Sequence, residues 1–283
     1  MKTETGPKDI RIPLPLWTIP LRIAIAIAVT GGALLLAARL TGVVPDATDP
    51  TATSTLVARI AAGFAVSVAV LGLIVLLVRV VKRRPSAELG LTTIANDFRA
   101  FLIGTAAWAI PAVLAFAVLS MLGSPIRVNA LPPDFWFVLG LVFLAVLLSE
   151  AIPEELVFRG YISAVLAERL SPWWVIGVQT LLFTATAIVL RGSLNVLDAS
   201  LFVAMGFVLG YVRLVSGSVW AAVGIHVAFQ TASQLVFTHD VIEFLGSNEH
   251  AMIALGAVPF TTVAILIPLL PWPVWRADRT RES

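Results

Sequence analysis

Long apolar runs separated by short polar stretches dominate the chain. The first run, Trp17–Leu40, exceeds the roughly 7–15 apolar residues of a secretory leader, and no small-residue cleavage site follows it. It is expected to remain as a span. A bilayer core takes about 20 apolar residues per helix. On that measure eight spans are predicted: Trp17–Leu40, Thr55–Val78, Phe101–Leu122, Phe135–Ala151 running on toward Leu170, Trp173–Leu190, Ala199–Leu214, Val219–Phe237 and Ala251–Val274. The expected fold is an all-α, polytopic membrane helix bundle.

Lys and Arg orient such a bundle, because they concentrate in cytoplasmic loops. Lys2, Lys8 and Arg11 precede the first span, and Arg79, Lys82, Arg83 and Arg84 follow the second. Arg159 and Arg169 close the fourth, Arg213 the sixth, and Arg276, Arg279 and Arg281 the eighth. The alternate loops are poorer: Thr41–Ser54 carries Asp46 and Asp49, and Thr238–His250 carries Asp240, Glu243 and Glu249, with no Lys or Arg in either. The other two carry one Arg each, Arg127 and Arg191. Both termini are therefore expected in the cytoplasm, which requires an even number of spans. Lys82-Arg83-Arg84-Pro85 divides the chain into 1–84 (two peripheral helices), 85–237 (a helical core) and 238–283 (outer loop, last span and tail).

Composition narrows the function. Of 283 residues 59% are apolar and 13% charged, and the mean hydropathy is +0.96. A soluble domain carries about a quarter charged residues. A soluble enzyme, a nucleic-acid binder and a disordered chain are excluded, the more so because the net charge is only +2. Without Cys there is no disulfide framework, thiolate metal site or Cys nucleophile. There is no internal repeat, no Gly-rich phosphate loop and no His-Glu-x-x-His.

Ionisable groups inside spans are costly and mark sites. Arg22, Arg39 and Arg59 lie near span ends and are expected to snorkel to the headgroups. The densest cluster is Ser149-Glu150-Ala151-Ile152-Pro153-Glu154-Glu155-Leu156-Val157-Phe158-Arg159-Gly160. Glu155 and Arg159 are four apart and can pair. Glu150 and Glu154 share another face, since adjacent residues point about 100° apart. Glu154 is thus left for a polar cavity, where a carboxylate can serve as general base toward water. Pro153 removes a backbone bond and allows a kink there. The bland alternative is a headgroup charge cluster, but paired Glu gains nothing from a negative surface.

In the seventh span His226 and Gln230 are four apart on one face, and His226 is the only His in a predicted span. A lone buried His is as a rule satisfied by a carbonyl; Gln230 and the carboxylates elsewhere argue for a site. His239 and His250 fall in an outer loop, His239 too far along to share it. Thr180, Thr184 and Thr186 are expected to bond across helices, and Gly31-Gly32, Gly63 and Gly206/Gly210 to allow close packing. Trp173, Trp174, Trp272 and Trp275 read as interface anchors, and Arg191 and Asp198 as solvated.

Glu154-Glu155-x-x-x-Arg159-Gly160 resembles the first motif of the CPBP family, the CAAX proteases and bacteriocin-processing enzymes also called Abi. Trp220, His226 and Gln230 resemble its last motif, His followed four residues later by Asn. Phe183-Thr184-Ala185-Thr186-Ala187 stands where its Phe-x-x-x-His should be, and Leu89-Gly90-Leu91 is similar to a frequent feature before the third span. The resemblance spans roughly Glu88 to Phe237. It implies an intramembrane endopeptidase of the cell membrane with a polar cavity open to the cytoplasm. It makes Glu154 the base, Glu155 and Arg159 its supporting pair, and His226 and Gln230 the oxyanion side. It implies a peptide or protein substrate, lipidated ones included, acting at the bilayer with no nucleic acid. The family is thought to work with or without a metal; a divalent ion such as zinc would rest on Glu154 and His226.

Two departures matter. Ala187 replaces the middle His and can neither bind metal nor orient water, and Gln230 replaces Asn. Three readings follow: a CAAX-protease-like endopeptidase, an inactive relative acting as a regulatory, immunity or peptide-binding protein, and, behind both, an ion or solute transporter, for which inverted repeats would be expected.

Overall fold

The computed structural model describes residues 15, 17–40, 52–78, 86–129, 134–192, 196–239 and 241–272. Lys2, Lys8, Arg11, Asp46, Asp49, Arg79, Lys82, Arg83, Arg84, Asp240, Trp275, Arg276, Arg279 and Arg281 lie outside these, as does the side chain of Asp198. Eight helices are long and apolar enough to cross a membrane. They are α1 (Thr18–Leu40), α2 (Thr53–Leu76), α3 (Ile94–Met121), α4 (Asp134–Leu166), α5 (Pro172–Arg191), α6 (Val196–Ser216), α7 (Val219–Phe237) and α8 (Glu249–Leu269). The protein is an all-α, multi-pass membrane bundle. Its helices alternate between a terminal face, where α1 begins and α8 ends, and a distal face. On the distal face two loops pair as an antiparallel ribbon of β1 (Ile126–Val128) and β2 (Ile242–Phe244), with Ile126 opposite Phe244.

Burial singles out α7: 61% of its span is buried, against 22–39% for the others. Its sequence explains this. Ala221, Ala222, Gly224 and Ala228 keep it thin, so neighbours approach on several sides. Ser218 caps it by accepting a hydrogen bond from the Trp220 N–H at 3.2 Å. Trp108 of α3 meets Phe229 edge-to-face at 5.9 Å. Large apolar side chains elsewhere, such as Val113, Trp136 and Leu181, point outward, where a lipid-facing surface needs them.

The α3–α7 contact is the closest in the bundle's core. A Cβ at Gly104 would overlap the Ala221 carbonyl, and one at Gly224 would overlap the Phe101 carbonyl. Overpacking such a seam costs about 1–3 kcal/mol, or more where backbone must move. Gly224→Val should therefore lower the unfolding temperature in detergent markedly or abolish the monodisperse species. Gly177→Val, with nothing within 4 Å of its added Cβ, should leave it unchanged.

Several sequence expectations need correction. Arg22 is 7% exposed and donates to Glu168 at 3.1 Å instead of reaching the headgroups. Arg59 also turns inward. Trp272 is 1% exposed, its indole N–H donating to the Ile267 carbonyl at 2.8 Å, so it is a core residue rather than an interface anchor. Thr186 bonds within its own helix, to the Leu182 carbonyl. The cross-helix bond from α5 is made by Gln179, whose amide donates to the Gly206 carbonyl at 2.8 Å. Trp173 and Trp174 are exposed as anchors should be.

Candidate active site

Pro153 shapes the helix that carries the carboxylates. α4 widens into π-helical turns at Leu147–Ala151 and Leu156–Ile162, on either side of the proline. The Ile152 N–H bonds to the Leu147 carbonyl, and Pro153 has no N–H to give. The Leu148 carbonyl thus loses both of its helical donors. Ser67 of α2 supplies a replacement, its hydroxyl donating to that carbonyl at 2.6 Å. Gly63 lets α2 come this near, since a Cβ there would lie 2.7 Å from the Ser149 nitrogen. Such π-turns recur at functional sites because they re-aim side chains.

The turns separate the three carboxylates. Glu155 points into the core with Arg159; both are 0% exposed. Arg159 donates to Glu155 Oε1 at 3.0 Å, and its other nitrogen donates to the Gly206 carbonyl at 3.3 Å. The guanidinium also lies 4.4 Å over the Phe183 ring. The same Glu155 Oε1 is 2.8 Å from His226 Nδ1. A carboxylate held by Arg only accepts, so Nδ1 is the donor and Nε2 is the ring atom left to face the cavity. Nε2 stands 4.0 Å from Glu154 Oε2, close but not hydrogen-bonded. Glu154, 22% exposed on its side chain, makes no hydrogen bond to another described residue.

Glu150 belongs to a separate network. Arg59 donates to Glu150, to Ser149 Oγ at 3.2 Å and to Gln234 Oε1 at 2.8 Å. Gln230 donates to Glu150 Oε2 at 3.0 Å and Gln234 to Glu150 Oε1 at 3.0 Å. The Gln230 amide is therefore anchored on Glu150, on the wall above Glu154. Gln234 was missed from the sequence, and Arg59, Ser149 and Glu150, though named there, were not read as one network. A signal existed: Arg59, Gly63 and Ser67 recur every four residues on α2, as do His226, Gln230 and Gln234 on α7.

Glu154, His226, Glu150 and Gln230 line one cavity of about 700 Å³, within the usual size for ligand pockets. His239 lines its far end, well away from His226. A second cavity of about 20 Å³ sits beside Glu154 and Ala187, large enough for one water. Thr30 of α1 lines it; Thr30 is 3% exposed and its hydroxyl has no hydrogen-bond partner among the described residues. Thr30 too was invisible in the sequence, being one Thr among apolar residues.

The donor set does not suit a metal. Protein zinc sites use three or four ligands. Here Ala187 offers none and Glu150 is committed to Arg59, which leaves Glu154 and His226 Nε2 as two donors, short of that number. No group of three or more His, Asp or Glu among the described residues converges as a metal site.

Fold and site together define a multi-pass membrane protein whose buried carboxylate and imidazole meet at a cavity within the bundle. Residues 134–232 match the model of the family described as Type II CAAX prenyl endopeptidase Rce1-like, so this part of the chain is similar to the CAAX proteases. Neither a curated protein nor a solved structure matches the chain.

Proposed function

We propose that the protein is an intramembrane endopeptidase of the cell membrane that hydrolyses a peptide bond with water activated by Glu154. The observation that carries this reading is the Glu154 carboxylate, without a hydrogen bond to another described residue, between a water-sized cavity and the imidazole of His226. Glu154 takes a proton from water as the oxygen attacks the peptide carbonyl carbon. The tetrahedral oxyanion forms on the side of His226 Nε2, which donates to it when the ring carries a proton on both nitrogens; Glu155, paired with Arg159, holds the Nδ1–H and so the ring in place. Collapse breaks the C–N bond, and the proton on Glu154 passes to the leaving amine. General acid–base steps of this kind contribute about 10²–10⁴-fold.

Thr30 supplies what Ala187 lacks. Its buried hydroxyl can hold the water against Glu154, in the space beside the small alanine. Ordering one water is worth up to about 2 kcal/mol, and about 1.4 kcal/mol is tenfold in rate. In liposomes, purified protein should cleave members of a panel of lipidated and unlipidated peptides. Thr30→Val should slow that turnover about tenfold, and Thr30→Ser should restore it. No cleavage of any peptide by the wild type would refute the reading.

Ala187 favours a second reading, in which the cavity binds a peptide without turning it over, as a regulatory or immunity protein would. That reading requires binding by the wild type, no cleavage, and cleavage gained by Ala187→His.

A further inference from the structure

The resemblance implies a cavity open toward the cytoplasm, and the cavity's walls run toward the distal face. They are formed largely by the distal halves of the helices: Leu35 near the end of α1, Thr55 and Arg59 at the start of α2, Leu190 at the end of α5, Leu201 early in α6, Phe237 at the end of α7 and Met252 at the start of α8. Leu35 and Phe237 line it and are 45% and 47% exposed. Glu154 and His226 form the floor. Beneath them the bundle is packed shut: Glu155, Val157, Arg159, Ile162 and Ile225 are each 0% exposed. Among the described residues, none of the α2–α3, α4–α5 or α6–α7 connections lines the cavity.

The geometry points to a site loaded from the distal face, and the basic residues of the terminal-face loops make that face the non-cytoplasmic one. Resting on the endopeptidase reading, this deepens it to a substrate class: an extended, apolar polypeptide segment displayed on the non-cytoplasmic side, rather than a tail presented from the cytoplasm. The depth sets its length. His226 is eleven residues below Phe237 on α7, about 16 Å at 1.5 Å per residue. A chain extending about 3.3–3.6 Å per residue needs roughly five residues to reach the floor. The walls it passes are mostly apolar, including Phe202, Phe229 and Met252.

Because the chain has no Cys, single-Cys variants report on a clean background. Ser233→Cys places a thiol on the cavity wall, Leu245→Cys an exposed one on the distal face, and Ala167→Cys an exposed one on the terminal face. A membrane-impermeant maleimide is applied to right-side-out and inverted vesicles of the expressing cell. Ser233→Cys should label together with Leu245→Cys in right-side-out vesicles, at least tenfold faster than in inverted ones, and Ala167→Cys should show the reverse. Labelling of Ser233→Cys together with Ala167→Cys, or by a membrane-permeant maleimide alone, would overturn the proposal. So would labelling of Leu245→Cys in inverted vesicles. Wild-type vesicles given the cleaved peptides should turn them over only when right-side-out; turnover only when inverted would also overturn it. The thiol labelling needs no catalysis, so distal labelling without cleavage would uphold the route while rejecting the peptidase.

Discussion

Glu154→Gln should abolish peptide cleavage, by about 10²–10⁴-fold, while leaving the protein folded and able to bind its peptide. The substitution keeps the shape of the side chain and removes its ability to accept and carry a proton. Structure should survive, because the carboxylate makes no hydrogen bond to another described residue and its nearest charged partner, His226 Nε2, is 4.0 Å away. The measurements are turnover in liposomes, peptide affinity and the unfolding temperature. A fall in turnover with affinity and unfolding temperature unchanged assigns a chemical role. Unchanged turnover would remove Glu154 from the chemistry and with it the proposed mechanism.

The adjacent Glu155 has the same side chain and the opposite surroundings, and this contrast was partly legible beforehand. Spacing alone paired Glu155 with Arg159 and left Glu154 over, because a helix turns about 100° per residue. The eight spans were legible for an equally simple reason, the length of apolar chain a bilayer demands. Other features were hidden because they depend on which way a polar group turns. Arg22 and Arg59 sit near span ends, and from there the headgroups and the interior are equally within reach; Glu168 and Glu150 decide for the interior. Gln230 looked like an amide aimed at the reacting centre, yet it donates to Glu150, a partner set by the π-turn around Pro153. A change from α to π geometry shifts facing residues by a fraction of a turn, which spacing rules for an ideal helix do not register. Thr30 was unreadable since its importance lies in the small cavity beside it, and cavities are properties of packing.

Arg159→Leu should be the most damaging single change to the fold. It leaves Glu155 charged and 0% exposed with its ion partner gone. Breaking one half of a buried pair costs about 3–5 kcal/mol, a large share of the roughly 5–15 kcal/mol that holds a typical protein together. At 0% exposure bulk solvent cannot compensate. Size-exclusion profiles in detergent should show aggregation or loss of expression. The remedy follows from the same reasoning. In the double variant Glu155→Gln, Arg159→Leu the buried charge is gone, while the Gln carbonyl oxygen still accepts from His226 Nδ1. Replacing a whole buried pair by neutral groups is often close to neutral in stability. The double variant should therefore recover a monodisperse protein that the single variant lacks. Its turnover should stay well below that of the wild type, because a neutral amide holds the imidazole less firmly than a carboxylate does. If Arg159→Leu alone folds as well as the double variant, the pair is not what secures the floor of the site, and the support assigned to His226 falls with it.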